Sequence, residues 1–421
     1  MKPEASQPGL VRGLGLADAV VIGVGSMVGA GVFAVWAPAA RAAGAGLLAG
    51  LVIAGIVAYC NAASSAQLAA VYPVSGGAYI YGRERLSPTL GFLAGCCFVI
   101  GKTASCAAMA LTFATYVVPD PGWLRRGVAL AAVLLLAAVN YRGVTRTARL
   151  TRIIVACSLA VLALVLILVQ TSTGPHRFPS VWPGGTSVYG VLQAAGLLFF
   201  AFAGYARIAT MGEEVRDPAR IIPRAVFIAL LVAVGIYALI GLTLLSTVGA
   251  DGLASSAAPL ATAVSTADAA WAVSIVRIGA ALASLGALLA LIAGIGRTTL
   301  AMARNGDLPS WLAAVHPRYR VPHHAEVALA VVVGVLVLTT DLRGVIGFSS
   351  FGVLLYYAVA NAAAFTQPRD QRRWSRVVNI VGLLGCVVLA FTLPIASAAT
   401  AAGVLVVALL VRSGRGGSAR S

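Results

Sequence analysis

Twelve long apolar runs, separated by short charged or Pro/Gly-rich segments, constrain this chain more than any other feature. A helix needs ~20 mostly apolar residues to cross the hydrocarbon core of a bilayer. Only 10% of the 421 residues are charged, against roughly 25% in ordinary soluble domains. The sequence therefore excludes a soluble globular protein. It predicts an all-α membrane protein with twelve transmembrane helices and a single domain over residues 1–421.

The predicted spans have soft boundaries, and the lipid bilayer is the first partner they imply. They cover residues 16–42, 45–71, 89–118, 124–140, 151–171, 187–209, 224–248, 271–299, 325–340, 344–365, 376–394 and 396–412.

The formal charge of +17 would suggest a nucleic-acid partner in a soluble protein. Here the basic residues lie in short clusters between spans rather than on one amphipathic face, so we expect no nucleic-acid binding. An even number of spans places both termini on one side. With the termini inside, 22 Lys and Arg fall on the inner side and five on the outer side. The positive-inside rule then predicts a multi-pass plasma-membrane protein with both termini cytoplasmic.

Neither catalysis nor a metal site is indicated. The six cysteines lie within apolar runs without metal-ligand spacing, and the four histidines lie in loops. No ring of charges or filter-like repeat indicates a channel. We expect a protein that is not an enzyme and has no cofactor.

Glycine interrupts the first predicted span over residues 23–33, where four glycines fall within nine positions. Glycine costs a helix ~1 kcal/mol relative to alanine, so the pattern predicts either a break or a close helix contact. In a broken membrane helix, freed amides suit a carboxylate and freed carbonyls suit an ammonium group or a cation.

A second irregular segment, residues 199–207, occupies the sixth span and is followed by Glu213 and Glu214. Interruptions in spans one and six suggest two inverted halves, and such transporters bind substrate between two discontinuous helices. The paired glutamates could suggest an acid/base dyad. An inner-gate salt-bridge network with nearby arginines is favoured instead, because adjacent helical side chains diverge by about 100°.

Four separated motifs, at residues 25–33, 72–79, 199–204 and 303–309, resemble those of the amino acid/polyamine/organocation (APC) superfamily of permeases. The resemblance extends over spans one to ten. It implies a LeuT-like fold of five-plus-five inverted repeats with broken helices 1 and 6. The first repeat would cover about 16–171, the second about 187–365, and helices 11 and 12 about 376–412.

The resemblance also implies a substrate site at the two breaks. The substrate carboxylate would meet the amides of Ala30 and Gly31, its ammonium the carbonyls of Met27 and Ala203, and Phe200 would gate the site. Gly29 and Gly204 complete the candidate residues at the breaks.

The residues thought to couple transport in many relatives are missing. A lysine of the fifth span is replaced by Ser158, and an acidic residue of the sixth span by Ala206, which Arg207 follows. Lys102, inside the third span, is a candidate replacement. An intramembrane cation costs roughly 2.5–3.5 kcal/mol, so its presence needs a reason.

Three interpretations of Lys102 stay open: a fixed counter-charge bonded to carbonyls of a broken helix, a pocket residue facing the substrate, and a proton carrier. The resemblance favours the pocket. Two interpretations of Arg207 also stay open: the side chain faces either the pocket or cytoplasmic water. Lys102, Ser158, Arg207, Glu213 and Glu214 are the candidates for coupling or gating.

These observations predict a secondary transporter that moves an amino acid by alternating access. Two cations and no buried carboxylate near the pocket favour neutral substrates first and acidic ones second, and disfavour arginine, lysine and polyamines. Proton coupling is favoured by the resemblance alone. Exchange, a polyamine or organocation substrate, and a transporter-like sensor that binds without transport are the alternatives.

Overall fold

The structure is a computed structural model that describes residues 14–29, 31–73, 76–142, 147–172, 186–209, 211 and 215–418. Its α-helices, in chain order, are α1 (Leu16–Met27), α2 (Gly31–Ala34), α3 (Trp36–Ala43), α4 (Leu47–Val71), α5 (Ala78–Arg85), α6 (Pro88–Val117), α7 (Trp123–Tyr141), α8 (Thr147–Gln170), α9 (Val188–Phe202), α10 (Ala206–Ala209), α11 (Pro218–Thr247), α12 (Gly249–Ser255), α13 (Pro259–Thr266), α14 (Val273–Arg304), α15 (His323–Thr339), α16 (Leu342–Phe365), α17 (Arg376–Thr392) and α18 (Ile395–Ser418). The described residues contain only helices, turns and one isolated β-bridge.

The all-α prediction is confirmed. Within the described residues, ten helical segments are long and apolar enough to cross a membrane. Two shorter apolar helices, α15 and α17, lie where the ninth and eleventh spans are predicted. The exact number of twelve spans stays a prediction. Three short helices, α5, α12 and α13, lie between the predicted spans. Each has eight residues or fewer, so the sequence shows no long apolar run there.

Several helix starts follow directly from local sequence. Ser87 precedes Pro88, and its hydroxyl accepts the N–H of Leu90 at 3.2 Å. The Asp341 carboxylate accepts the N–H of Gly344 at 2.9 Å. These side chains satisfy amides that a helix leaves unpaired in its first turn, and proline fits there because it has no N–H to lose.

The centre of the molecule is formed by α6, α9 and α16. Between 78% and 83% of each of these spans is buried, against 17% for α18. Small residues allow close packing: a Cβ added at Gly352 of α16 would lie 3.0 Å from the Cα of Gly101 in α6. Close approach of backbones at small residues is the usual way in which membrane helices associate.

The spans pack in two groups, which also meet directly where α16 of the second group contacts α4 and α9 of the first. In the first, α1 contacts α11, and α4 contacts both α9 and α11. In the second, α6 contacts α14, α15 and α16. Helix α8 contacts α1 from the first group and α14 from the second. The two interruptions lie in the first group and face the second.

Candidate functional site

The first interruption separates α1 from α2. Helix α1 ends at Met27, and helical structure resumes at Gly31. Gly31 packs directly on the second interrupted segment: a Cβ there would lie 2.9 Å from the Cα of Ala201. A larger residue would push the two backbones apart.

The second interruption is a 3-10 turn, Ala203–Tyr205, between α9 and α10. Gly204 lies against the end of α1, and a Cβ added to it would approach the carbonyl oxygen of Ser26 to 2.2 Å. A glycine at or next to each interruption therefore packs against the backbone of the other interrupted helix.

Tyr237 of α11 links the two interruptions, although no sequence pattern singled it out. Its buried hydroxyl lies 2.7 Å from the carbonyl oxygen of Met27 and 3.0 Å from that of Ala201. A phenol has one proton to donate, so it donates fully to only one of these carbonyls at a time.

A cavity of about 460 Å³ lies between the interrupted helices, α6, α8 and α14. Seven of the predicted site residues line it: Gly29, Lys102, Ser158, Phe200, Ala203, Gly204 and Arg207. Met27 and Gly31 are buried behind its wall. Ala30, Glu213 and Glu214 lie outside the described residues.

Lys102 is buried and reaches across the cavity. Its Nζ donates a hydrogen bond to the carbonyl oxygen of Ala203 at 3.1 Å. This is one of the two carbonyls expected to receive a substrate ammonium, and the other, that of Met27, faces the Tyr237 hydroxyl. Lys102 therefore bonds to a carbonyl of a broken helix and also lines the cavity. The interpretations as a carbonyl-bonded counter-charge and as a pocket residue thus apply to the same position.

A protein-family model described as amino acid permease matches residues 14–411. The chain belongs to the amino acid permease family. An uncharacterized transporter of Mycobacterium tuberculosis (strain ATCC 25618 / H37Rv) is 57% identical over 94% of this chain and 89% of its own length. The branched-chain amino acid permease BcaP of Bacillus subtilis (strain 168) is 25% identical over 85% of this chain and 81% of its own length. The chloroplastic cationic amino acid transporter 7 of Arabidopsis thaliana is 28% identical over 83% of this chain and 64% of its own length.

The permease cavity has a positive lining. Lys102, Arg207 and Arg297 contribute cationic side chains, and the described lining residues include no Asp or Glu. Arg297 is exposed, so the cavity reaches the surface beside it. We call this end, formed by Arg207, Arg297 and Ala301, the mouth.

Aromatic side chains pack together beyond the end of the cavity opposite the mouth, although they do not line it. The Tyr116 hydroxyl donates to the carbonyl of Phe33 at 3.3 Å, and the two rings meet edge to face with centroids 5.8 Å apart. Arg277 of α14 donates to the carbonyl of Tyr116 at 3.1 Å. All three contacts hold α6, α2 and α14 together at this end.

An ion pair joins two helix ends on the mouth side of the first interruption. Arg152 of α8 donates to the Asp18 carboxylate of α1 at 2.6 Å. The same carboxylate accepts the N–H of Gly15 at 3.2 Å. Both side chains are partly exposed, so water competes for the pair.

Sequence reasoning missed the α14 wall of the cavity. This wall consists of small residues, among them Ala283, Gly286, Ala287, Ala290 and Gly294. Gly and Ala in an apolar helix equally indicate packing against a neighbour, so no local signal marks them as cavity residues. On α6, Ser105 and Met109 line the cavity beside Lys102.

Ser158, at the position of the missing fifth-span lysine, also lines the cavity. Its hydroxyl donates to the carbonyl of Ile154 in its own helix at 2.8 Å. Ser158 is therefore a neutral lining residue that bonds to its own helix, whereas the lysine of this cavity, Lys102, lies on α6.

Proposed function

We propose that this permease is a secondary transporter that moves a neutral or acidic amino acid across the plasma membrane by alternating access, coupled to protons. The observation that carries the proposal is a cavity between two interrupted helices, lined by three cationic side chains and by no acidic one among the described residues.

The packing of the spans supports a LeuT-like arrangement of twelve spans in two inverted repeats. Spans one, two, six and seven are represented by α1, α4, α9 and α11: α11 contacts both α1 and α4, and α4 contacts α9. Spans three, eight, nine and ten form the second group around α6. Because the interrupted helices belong to one group and Lys102 to the other, movement between the groups would change the cavity and its access.

The mouth faces the cytoplasm in this proposal. It lies at the α14 end that carries Arg297 and Arg304, and the positive-inside rule assigns such clusters to the cytoplasmic side. The aromatic end at Tyr116 would then face the outside. The described conformation corresponds to a carrier closed outside and open inside.

Lys102 determines which substrates fit. A substrate ammonium directed at the Ala203 carbonyl would lie beside the lysine ammonium, which occupies that carbonyl at 3.1 Å. Two unit charges 4 Å apart repel by about 4 kcal/mol at an effective dielectric constant of 20. The ammonium of a neutral or an acidic amino acid must therefore displace Lys102 from this carbonyl, and an acidic substrate can in addition pair its side-chain carboxylate with the lysine.

Transport assays separate these substrates from cationic ones. Purified permease in sodium-free proteoliposomes would be given labelled neutral, acidic and cationic amino acids, with and without an imposed pH gradient. We expect gradient-driven accumulation of a neutral or acidic amino acid. Accumulation of only arginine, lysine or a polyamine would contradict the charge argument. Uptake that requires a counter-substrate would indicate an exchanger, and saturable binding without uptake would indicate a sensor.

The role of Lys102 is tested by Lys102→Asn, with Lys102→Arg retaining the charge and Thr103→Val as a matched buried control on α6. We expect Lys102→Asn to reduce acidic-substrate uptake at least tenfold relative to neutral-substrate uptake, because the paired cation is lost. The arginine variant should retain part of the preference, and the control should retain all of it. Unchanged substrate preference in Lys102→Asn would refute the pocket role.

A further inference from the structure

A second cavity of about 480 Å³ shares none of the described lining residues of the transport cavity and lies between the start of α6, the loop after α14 and the end of α18. Its apolar walls are formed by Phe92, Leu308, Pro309, Ala408 and Val411. The remaining described lining residues are mainly polar or charged, and two of them are arginines. The transport mechanism uses none of these residues.

A buried carboxylate organises the charged side of this cavity. Asp307, whose side chain is 5% exposed, accepts hydrogen bonds from Arg83 at 2.8 Å and from Arg412. The hydroxyl of Tyr79 donates to the same carboxylate at 2.7 Å. Two guanidinium groups against one carboxylate leave one positive charge in excess.

Both arginines retain N–H groups that can reach the cavity. Arg83 and Arg412 are each about one quarter exposed, and each uses one terminal nitrogen on Asp307. Arg412 also stacks on the ring of Phe92, with its guanidinium carbon 4.5 Å from the ring centroid. A guanidinium has five N–H donors in a planar fork that matches phosphate oxygens, so the site is built for an anion of that shape.

The depth of the cavity corresponds to the boundary between headgroups and hydrocarbon. Arg412 is seventeen residues beyond Ile395, the first residue of α18, which is about 26 Å at 1.5 Å per residue. The hydrocarbon core is ~30 Å thick, so Arg412 lies near its edge. Val411 lines the cavity and is also 52% exposed on the apolar outer face of α18, so the cavity opens toward the acyl chains.

We propose that this crevice between α6 and α18 binds a monoanionic phospholipid, with the phosphodiester on Arg83 and Arg412 and an acyl chain leaving along Val411. The chemistry recognised is a phosphate ester with one negative charge, which matches the single excess positive charge. A lipid is favoured over soluble phosphate because the opposite walls are apolar and one of them continues onto the lipid-facing surface. Basic pockets between membrane helices bind anionic headgroups in the same way.

Lipid binding is measured directly, without any transport assay. Delipidated permease in neutral detergent would be titrated with phosphatidylglycerol, and bound lipid counted by native mass spectrometry. Phosphatidylcholine and inorganic phosphate would be titrated in parallel. We expect at least tenfold tighter binding of phosphatidylglycerol than of phosphatidylcholine, and no competition by phosphate at equal concentration.

Two variants of α18 locate the site. Ala408→Phe fills the cavity and leaves both arginines in place, and Val407→Phe adds the same ring at an adjacent, 59% exposed position outside the cavity. We expect Ala408→Phe to weaken phosphatidylglycerol binding at least tenfold and Val407→Phe to change it less than twofold. Equal binding by the two variants would overturn the proposal.

The charge requirement is tested separately with Arg412→Gln and Arg412→Lys. The glutamine variant should lose the preference for phosphatidylglycerol, and the lysine variant should retain most of it. Because Arg412→Gln removes a partner of buried Asp307, its thermal unfolding is compared with that of the parent. If phosphatidylcholine binds as well as phosphatidylglycerol, or if phosphate displaces the lipid, the assignment is wrong.

Discussion

The two interruptions at the centre of the molecule are built from different residues. The first, between α1 and α2, is dense in glycine, whereas the second, Ala203–Tyr205, follows a run of aromatic residues. Their contacts are nevertheless reciprocal: Gly31 packs on Ala201, and Gly204 packs on Ser26. The comparison shows that one glycine on each side is enough to bring two backbones together, and that the remaining glycines have other neighbours.

The nature of the neighbour distinguishes these glycines. A Cβ at Gly204 and a Cβ at Gly23 would each approach another atom to 2.2 Å. At Gly204 this atom is the backbone oxygen of Ser26, and at Gly23 it is the terminal methyl carbon of Ile208. A backbone carbonyl in a packed interior cannot move aside as easily as the end of a side chain.

The largest effect is expected for Gly204→Ala. Overpacking against Ser26 should cost about 2 kcal/mol and force the two interruptions apart, so uptake should fall more than tenfold and the thermal midpoint should decrease. Gly235→Ala is the control, since a Cβ at Gly235 meets no atom within 4 Å. Uptake by Gly204→Ala within twofold of the parent would contradict the proposed close approach.

An intermediate effect is expected for Tyr237→Phe. Loss of the hydroxyl leaves the carbonyls of Met27 and Ala201 without their shared donor, at a cost of about 1–3 kcal/mol for an unsatisfied buried group. A cost of about 1.4 kcal/mol, within this range, corresponds to a factor of ten, so we expect uptake to fall roughly tenfold. The expression level should change little. The exposed Tyr59 provides the matched control, Tyr59→Phe, which should be neutral. Equal uptake by both variants would show that the link between the interruptions is dispensable.

The smallest effect is expected for Gly23→Ala. Rotation of the Ile208 side chain can make room for the methyl group, so we expect less than a threefold change in uptake. The double variant with Ile208→Val should recover part of any lost rate, because valine lacks the terminal carbon that the added methyl group approaches most closely. A loss as severe as that of Gly204→Ala would show that the Ile208 side chain cannot rotate out of the way.

Much of this architecture could be predicted from local sequence. Long apolar runs predict membrane helices because every backbone amide in lipid needs an internal partner. Clustered glycines predicted either a break or a close helix contact in the first span, and the irregular 199–207 segment suggested the second interruption. A lysine inside an apolar run marked an unusual position, which the family resemblance placed in the pocket. Each of these signals is contained within one segment of about ten residues.

The rest depends on contacts between distant segments. Tyr237 is a single tyrosine in an apolar run, and its two carbonyl partners lie 210 and 36 residues away. Likewise, Asp307 and Arg412 are 105 residues apart, and no periodicity connects them. The expectation that the Met27 and Ala203 carbonyls receive a substrate ammonium did not anticipate Tyr237, which bonds to the first. Bonding of Lys102 to a carbonyl of a broken helix, in contrast, was one of the three interpretations of that residue.

The ion pair between Asp18 and Arg152 bears on how fast the mouth-side helix ends can separate. An exposed pair of this kind contributes about 0.2–1 kcal/mol, comparable to thermal energy at room temperature. Thermal fluctuations therefore break it without any ligand or proton. In the proposed alternating-access cycle this contact would therefore add little to the barrier between conformations, and screening of this pair by salt should by itself change turnover only slightly.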